Sequence, residues 1–136
     1  MTLVRRCRLP GPVAHAIIEH ARVSRPRECC GILLGRGDDI LEAAPAPNLA
    51  PDSNRFLLDP ATHFRIRRDA RGRGLTVVGF YHSHPQSPAE PSARDMAEAA
   101  DDDALYVIVS LETEVPTVRA FTIGRGGFAE IPILDA

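Results

Sequence analysis

The chain has 136 residues, of which 44% are hydrophobic, and these values predict one globular domain spanning residues 1–136. Its 16 basic and 18 acidic residues give a net charge of −2, which leaves no positive excess for nucleic acid or an anionic membrane. No apolar run approaches the length of a membrane span, so the cytoplasm is the expected location. The three cysteines are too few and too poorly spaced to predict a disulfide framework or a metal knuckle.

In the first half of the chain, the spacing of apolar residues predicts helices that alternate with strands. Val13, Ile17 and Ala21 recur on one helical face, which predicts a helix over residues 12–23. Two apolar runs on either side of a turn predict a hairpin with strands at 29–35 and 40–44. A proline-rich loop then leads to a short strand at 56–58, and Asp59-Pro60 opens a helix that ends near Gly72.

The second half begins with a predicted buried strand over residues 75–81 that ends at His82. Three prolines stiffen the following loop, and Ser92 opens a helix that reaches about residue 100. Three further strands are predicted at 105–111, 116–123 and 128–134. The interleaved strands and helices therefore predict an α/β sandwich.

One motif, His82-Ser83-His84-Pro85, stands at the end of the predicted strand. Side chains alternate between the two faces of a strand, so the two histidines point to the same side and can converge on one ion. Asp95 follows on the first turn of the next helix. Two imidazoles and one carboxylate give Zn²⁺ three protein ligands and leave a fourth position for water, which is typical of a catalytic site.

The complete pattern resembles that of the JAMM (MPN-plus, JAB domain) zinc metallopeptidases, in their stand-alone bacterial type. That family shows a distant glutamate, then His-x-His-Pro, six residues, and Ser-x-x-Asp. Glu28, His82, His84, Ser92 and Asp95 match every position, and the resemblance extends over roughly residues 13–110. It implies a mainly antiparallel, mixed β-sheet flanked by helices, in a JAB/MPN fold similar to that of cytidine deaminases.

The resemblance also implies a role for each matching residue. His82, His84 and Asp95 would hold one zinc ion per chain, Glu28 would be the acid/base, and Ser92 would donate a hydrogen bond to the oxyanion. The implied reaction is hydrolysis of an amide or isopeptide bond at the C-terminal Gly-Gly of a ubiquitin-like or sulfur-carrier protein. The short chain favours a small leaving amine, such as an amino acid, over a second ubiquitin.

Other interpretations of the same residues are open at this point. Ser92-x-x-Asp95 is also a good helix-capping sequence, and an isolated pair of histidines is often only a surface feature. The whole chain is alternatively a non-catalytic MPN-type interaction module, or a zinc peptidase that acts on another peptide, such as a cell-wall peptide.

Overall fold

Eight strands and three helices make up the described part of the computed structural model, which comprises residues 5–98, 103–124 and 127–134. The helices are α1 (Gly11–Ser24), α2 (Pro60–Gly72) and α3 (Ala93–Glu98). The strands are β1 (Cys7–Arg8), β2 (Cys30–Arg36), β3 (Asp39–Ala46), β4 (Thr76–His84), β5 (Leu105–Ser110), β6 (Thr117–Gly124), β7 (Gly127–Ile131) and β8 (Ile133–Leu134).

All eight strands join one mixed sheet in the order β7-β6-β5-β4-β2-β3-β1-β8. The pairs β2·β3, β2·β4, β5·β6 and β6·β7 are antiparallel. The two-residue strand β1 is parallel to β3 and β8, and the longer pair β4·β5 is also parallel. A parallel pair needs a crossover connection, and here the crossover contains α3. The predicted α/β fold with a mainly antiparallel mixed sheet and flanking helices is confirmed.

The sheet is curled, as shown by one short segment of chain that supplies both of its edges. Only Pro132 separates β7 from β8, yet β7 pairs with β6 at one edge and β8 pairs with β1 at the other. Proline has no N–H group for a strand ladder, and the carbonyl of Pro132 accepts a hydrogen bond from the Cys7 N–H at 3.1 Å. The single strand predicted over residues 128–134 is therefore wrong: the chain changes edges at the proline.

Helices α1 and α2 cover different faces of the sheet. The buried side of α1, with Ile17 and Ala21, packs in a cluster with Leu33. The buried Ala70 of α2 packs with Ile32, which precedes Leu33 on β2 and therefore points to the other face. A fully buried Ile side chain contributes roughly 1.5–3 kcal/mol, so Ile17 on α1 and Ile32 beneath α2 help to hold the two helices on the sheet.

A close contact between β2 and β4 lies under α1. Gly31 pairs with Tyr81, and a Cβ atom at position 31 would lie 2.2 Å from the tyrosine ring. The Tyr81 hydroxyl is buried and lies 2.7 Å from Nδ1 of His20 on α1. Glycine at position 31 thus makes room for the ring that joins β4 to α1.

Several predicted boundaries differ from the structure in detail. Residues 56–58 form only an isolated bridge, Asn48 to Leu58, instead of a strand. Strand β4 continues past His82 as far as His84. The last two residues of the predicted third helix, 99 and 100, lie outside the described residues. Within the described ranges, no helix has both the length and the apolar character needed to cross a lipid bilayer.

Candidate active site

The site begins with two histidines at the end of β4. His82 and His84 are buried, and their Nε2 atoms lie 3.2 Å apart. Strand β4 is hydrogen-bonded on one side to β2 and on the other to β5, where His82 pairs with Ile108. Neighbours on both sides fix the backbone of the two histidines, and the strand alternation gives both rings the same direction, as predicted.

Asp95 adds a third atom with a lone pair suited to a metal ion. We refer to the three side chains, His82, His84 and Asp95, as the donor cluster. Asp95 lies in the first turn of α3, and its Oδ2 atom is 3.1 Å from the Nε2 atoms of both His82 and His84. The same oxygen accepts the Ser92 N–H at 2.8 Å, and the Ser92 hydroxyl oxygen accepts the Asp95 N–H at 3.0 Å. The capping interaction is therefore present, and it also holds the carboxylate against the histidines.

Backbone and aromatic contacts orient the two imidazole rings. Nδ1 of His84 lies 2.7 Å from the carbonyl oxygen of Pro88, a contact that places the ring proton on Nδ1 and leaves Nε2 for the cluster. The Phe56 ring stacks on His82 with centroids 4.5 Å apart and planes 24° from parallel. Protein contacts thus hold both rings in place.

Burial and hydrogen bonding shift the pKa values of this cluster. Burial raises the pKa of Asp95, but hydrogen bonds from His82 and His84 outweigh that effect, so its pKa lies well below the usual range. Burial lowers the pKa of His84, but hydrogen bonds to Asp95 and to the Pro88 carbonyl reverse the effect, so the pKa is raised. The Asp95 carboxylate is therefore anionic at neutral pH.

Glu28 lies beside the histidines, although His82 follows it 54 positions later in the sequence. Its side chain is buried, and one carboxylate oxygen and one nitrogen from each of His82 and His84 all lie within 4.8 Å of one another. Glu28 immediately precedes Cys29 and β2, and β2 pairs directly with β4. Sheet pairing thus brings the distant glutamate to the histidines.

Two side chains that the sequence did not single out fix the backbone at Glu28. The Ser83 hydroxyl oxygen, fully buried, accepts the Cys29 N–H at 2.8 Å, and the Ser83 N–H donates to the Cys29 carbonyl at 3.1 Å. The Asn48 side-chain amide donates to the Glu28 carbonyl at 2.9 Å. Both polar atoms of the peptide group between Glu28 and Cys29 are therefore bound by side chains.

The family model for prokaryotic homologs of the JAB domain matches residues 10–124. This chain belongs to that family. The predicted family is confirmed, and its matched region contains the whole cluster described above.

Curated relatives of this JAB domain are peptidases by name, which confirms the predicted enzyme class. A desampylase from Haloferax volcanii is 35% identical over 112 residues, which cover 77% of this chain and 81% of the relative. The CysO-cysteine peptidase of Mycobacterium tuberculosis is 32% identical over 124 residues, 89% of this chain and 85% of the relative. A probable TtuB-protein conjugate cleaving protease from Thermus thermophilus is 31% identical over 127 residues, 90% and 82% of the two chains.

Solved structures agree with the fold of this JAB domain. A protein from Desulfitobacterium hafniense is 34% identical, with a TM-score of 0.88 over 96% of this chain and 92% of that one. A JAB1/MPN domain protein from Archaeoglobus fulgidus, at 22% identity, has a TM-score of 0.59 over 90% of this chain and 94% of that one. The second likeness supports the fold alone.

A cleft of about 460 Å³ opens beside the donor cluster of the JAB domain. Glu28, His84 and Ser92 line it, and His84 in turn contacts His82 and Asp95. The walls also contain four prolines, Pro26, Pro85, Pro88 and Pro91. This volume is within the usual range for ligand-binding clefts, and the fixed backbone angles of proline make its walls stiff.

Proposed function

We propose that this JAB domain is a zinc-dependent peptidase that hydrolyses the bond following the C-terminal Gly-Gly of a ubiquitin-like or sulfur-carrier protein. The observation that carries the proposal is the convergence of Nε2 of His82, Nε2 of His84 and Oδ2 of Asp95 beside the buried carboxylate of Glu28. Three ligand groups next to one acid/base group form the minimum set for metal-assisted hydrolysis.

The donor set fits zinc in chemistry and in spacing. A tetrahedral zinc ion bound at about 2.0–2.1 Å separates its ligand atoms by about 3.3 Å. The three donor atoms here lie 3.1 to 3.2 Å apart. His82, His84 and Asp95 would hold the ion, which supplies Lewis-acid chemistry: it polarises a carbonyl group and lowers the pKa of a coordinated water to about 7.

Glu28 and Ser92 would act on the substrate. The buried Glu28 carboxylate takes the proton from the attacking water and returns it to the amine as the peptide bond breaks. The Ser92 hydroxyl, on the same cleft, donates a hydrogen bond to the carbonyl oxygen as negative charge develops there. Asn48 and Ser83 hold the backbone that carries Glu28.

The relatives and the proline-lined cleft support a carrier with a glycine tail as the substrate. Relatives at 31 to 35% identity have the names desampylase, CysO-cysteine peptidase and probable TtuB-protein conjugate cleaving protease. A tail without side chains suits a cleft with rigid proline walls. We propose a small amine such as an amino acid as the leaving group, in preference to a second ubiquitin.

Metal analysis combined with a cleavage assay tests the proposal. The purified protein should contain about one zinc per chain, because three ligands define one site. His82→Ala and His84→Ala should lose the zinc, whereas His15→Ala, an exposed histidine on α1, should retain it. Full zinc content in both site variants would contradict the metal assignment.

The cleavage assay uses Gly-Gly carrier proteins that bear either a C-terminal amino acid or a second ubiquitin. Mass spectrometry should show the carrier ending at its second glycine, and only with the zinc-loaded protein. Efficient cleavage of a two-ubiquitin chain, with none of the amino-acid adduct, would overturn the proposed leaving group. Zinc binding without cleavage of any adduct would favour the non-catalytic interaction module.

A further inference from the structure

Helix α2 concentrates the positive charge of an otherwise acidic protein. It contains four arginines and one acidic residue, Asp69, so the rest of the chain has 12 basic and 17 acidic residues. All four arginines are exposed: Arg65, Arg67, Arg68 and Arg71. We refer to these four residues with Phe64 as the arginine face of α2.

The arginine face points away from the sheet. Thr62 and Ala70 are buried, and they lie on the side of α2 that packs against the sheet. Phe64, Arg68 and Arg71 have the i, i+4, i+7 spacing of the opposite side. The Phe64 side chain is 67% exposed, and the guanidinium carbon of Arg68 lies 6.0 Å from its ring centroid. A large apolar ring thus stands among cations on the open surface.

The charges of this face are not neutralised within the described part of the chain. No carboxylate there lies within 4.0 Å of the four guanidinium groups, whereas Arg73, just past the helix, pairs with Glu42 at 2.9 Å. Like charges on neighbouring turns destabilise a helix slightly. The face is therefore electrostatically suited to an acidic partner.

The N-terminal end of α2 lies near the candidate active site. Phe56, which stacks on His82, is four residues before the start of α2. The His63 ring of α2 contacts the ring of Phe80 at 5.3 Å between centroids, and Phe80 lies on the same side of β4 as His82. A folded protein bound on α2 would therefore sit beside the cleft.

We propose that the arginine face of α2 is the docking surface for the folded body of the carrier protein, which presents an acidic patch with an apolar centre. The inference rests on the proposed function. A compact acidic patch fits this one helix. The rest of the chain has 17 acidic and 12 basic residues, and its net negative charge repels an extended polyanion such as nucleic acid. Phe64 supplies the apolar contact at the centre, and the arginines select and steer the partner.

Binding and cleavage measured in parallel test the docking surface. The probes are Gly-Gly carrier proteins encoded in the same genome, each with an amino-acid adduct, and a short peptide that copies the tail and adduct alone. The double variant Arg65→Glu/Arg68→Glu should raise the Kd and KM for the carrier by ~10-fold or more while kcat changes by less than about twofold. A matched reversal of two exposed arginines elsewhere, Arg6→Glu/Arg22→Glu, should change neither constant.

Three outcomes would overturn the inference. Equal carrier affinity in the α2 variant and the matched control would show that the face does not bind the carrier. An equal loss on the tail peptide would place the effect in the cleft. If the protein forms a dimer that dissociates only in the α2 variant, and the Kd for the carrier is unchanged, the arginine face is a self-association surface.

Two further measurements separate this inference from the proposed function. Binding to the uncleaved carrier is scored independently of hydrolysis, so an inactive enzyme that still needs α2 for binding would reject only the proposed reaction. Raising the salt concentration should weaken wild-type binding and have less effect on the variant. If circular dichroism shows that the variant Arg65→Glu/Arg68→Glu is not folded, Arg65→Gln/Arg68→Gln provides the same comparison.

Discussion

Replacing Ser83 by alanine tests how the site holds Glu28 in position. Ser83 lies between the two histidines of the motif, but its side chain points to the opposite side of β4 and is fully buried. Its hydroxyl oxygen accepts the Cys29 N–H at 2.8 Å. Alanine removes the acceptor and leaves that buried N–H without a partner from this side chain, one residue from Glu28.

The size of the effect follows from this geometry. An unsatisfied buried donor costs about 1–3 kcal/mol. For a chain of 136 residues, this corresponds to a melting temperature lower by about 3 to 10 °C. Small displacements of a catalytic group are costly, up to ~10²-fold for about 1 Å, so we expect turnover to fall by ~10-fold or more. Zinc should stay at one per chain, because the three ligand side chains are unchanged.

The assay measures zinc content, thermal unfolding, kcat and KM on the tail peptide. The matched control is Thr62→Val, which removes another buried hydroxyl, the one that donates to Asp59 at 2.8 Å at the start of α2. The control should lose stability and keep its turnover. A Ser83→Ala enzyme with wild-type kcat, or with kcat lowered only as far as in the control, would refute the positioning role.

Three further predictions concern the cluster and the thiols. Glu28→Gln should retain zinc and lose at least ~10²-fold in turnover. Asp95→Asn, in contrast, should lose zinc. Equal zinc loss in both variants would mean that the roles of the two carboxylates are assigned wrongly. Ser92→Ala should bind zinc and lose roughly 10²-fold in rate, and an unchanged rate would reduce Ser92 to a helix cap. Burial raises the pKa of Cys29 to about 11 and that of Cys30 to about 12. Neither thiol should therefore react with iodoacetamide at pH 8 until the protein is denatured. Mass spectrometry measures the labelling, and rapid labelling of the native protein would contradict this expectation.

The cluster of histidines and aspartate was predictable because its geometry is local. His82 and His84 are two residues apart on one strand, so the strand alternation alone directs both rings to one side. Asp95 and Ser92 follow within one loop, and their capping pattern is visible in the sequence. Glu28 was different, since only the resemblance to a known motif identified it, and sheet pairing brings it near.

The supporting contacts were not predictable in the same way. Asn48 reaches Glu28, and Phe56 reaches His82, from a loop whose path depends on the assembled sheet. Strand β1 has only two residues, too few to show any alternation. The change of sheet edge at Pro132 arises from curvature of the whole sheet, which no short window of sequence contains.

The parallel pairing of β4 with β5 has a consequence for the kinetics of metal exchange. The two proposed histidine ligands belong to a strand that is paired on both sides, but Asp95, the third proposed ligand, belongs to the crossover that the parallel pairing requires. Movement of α3 away from the sheet would withdraw one ligand of three and leave the strand ladder intact. We therefore expect zinc to dissociate through local opening of this crossover, so that its exchange with a chelator is faster than global unfolding. The lifetime of the bound metal would then measure how firmly α3 docks on the sheet.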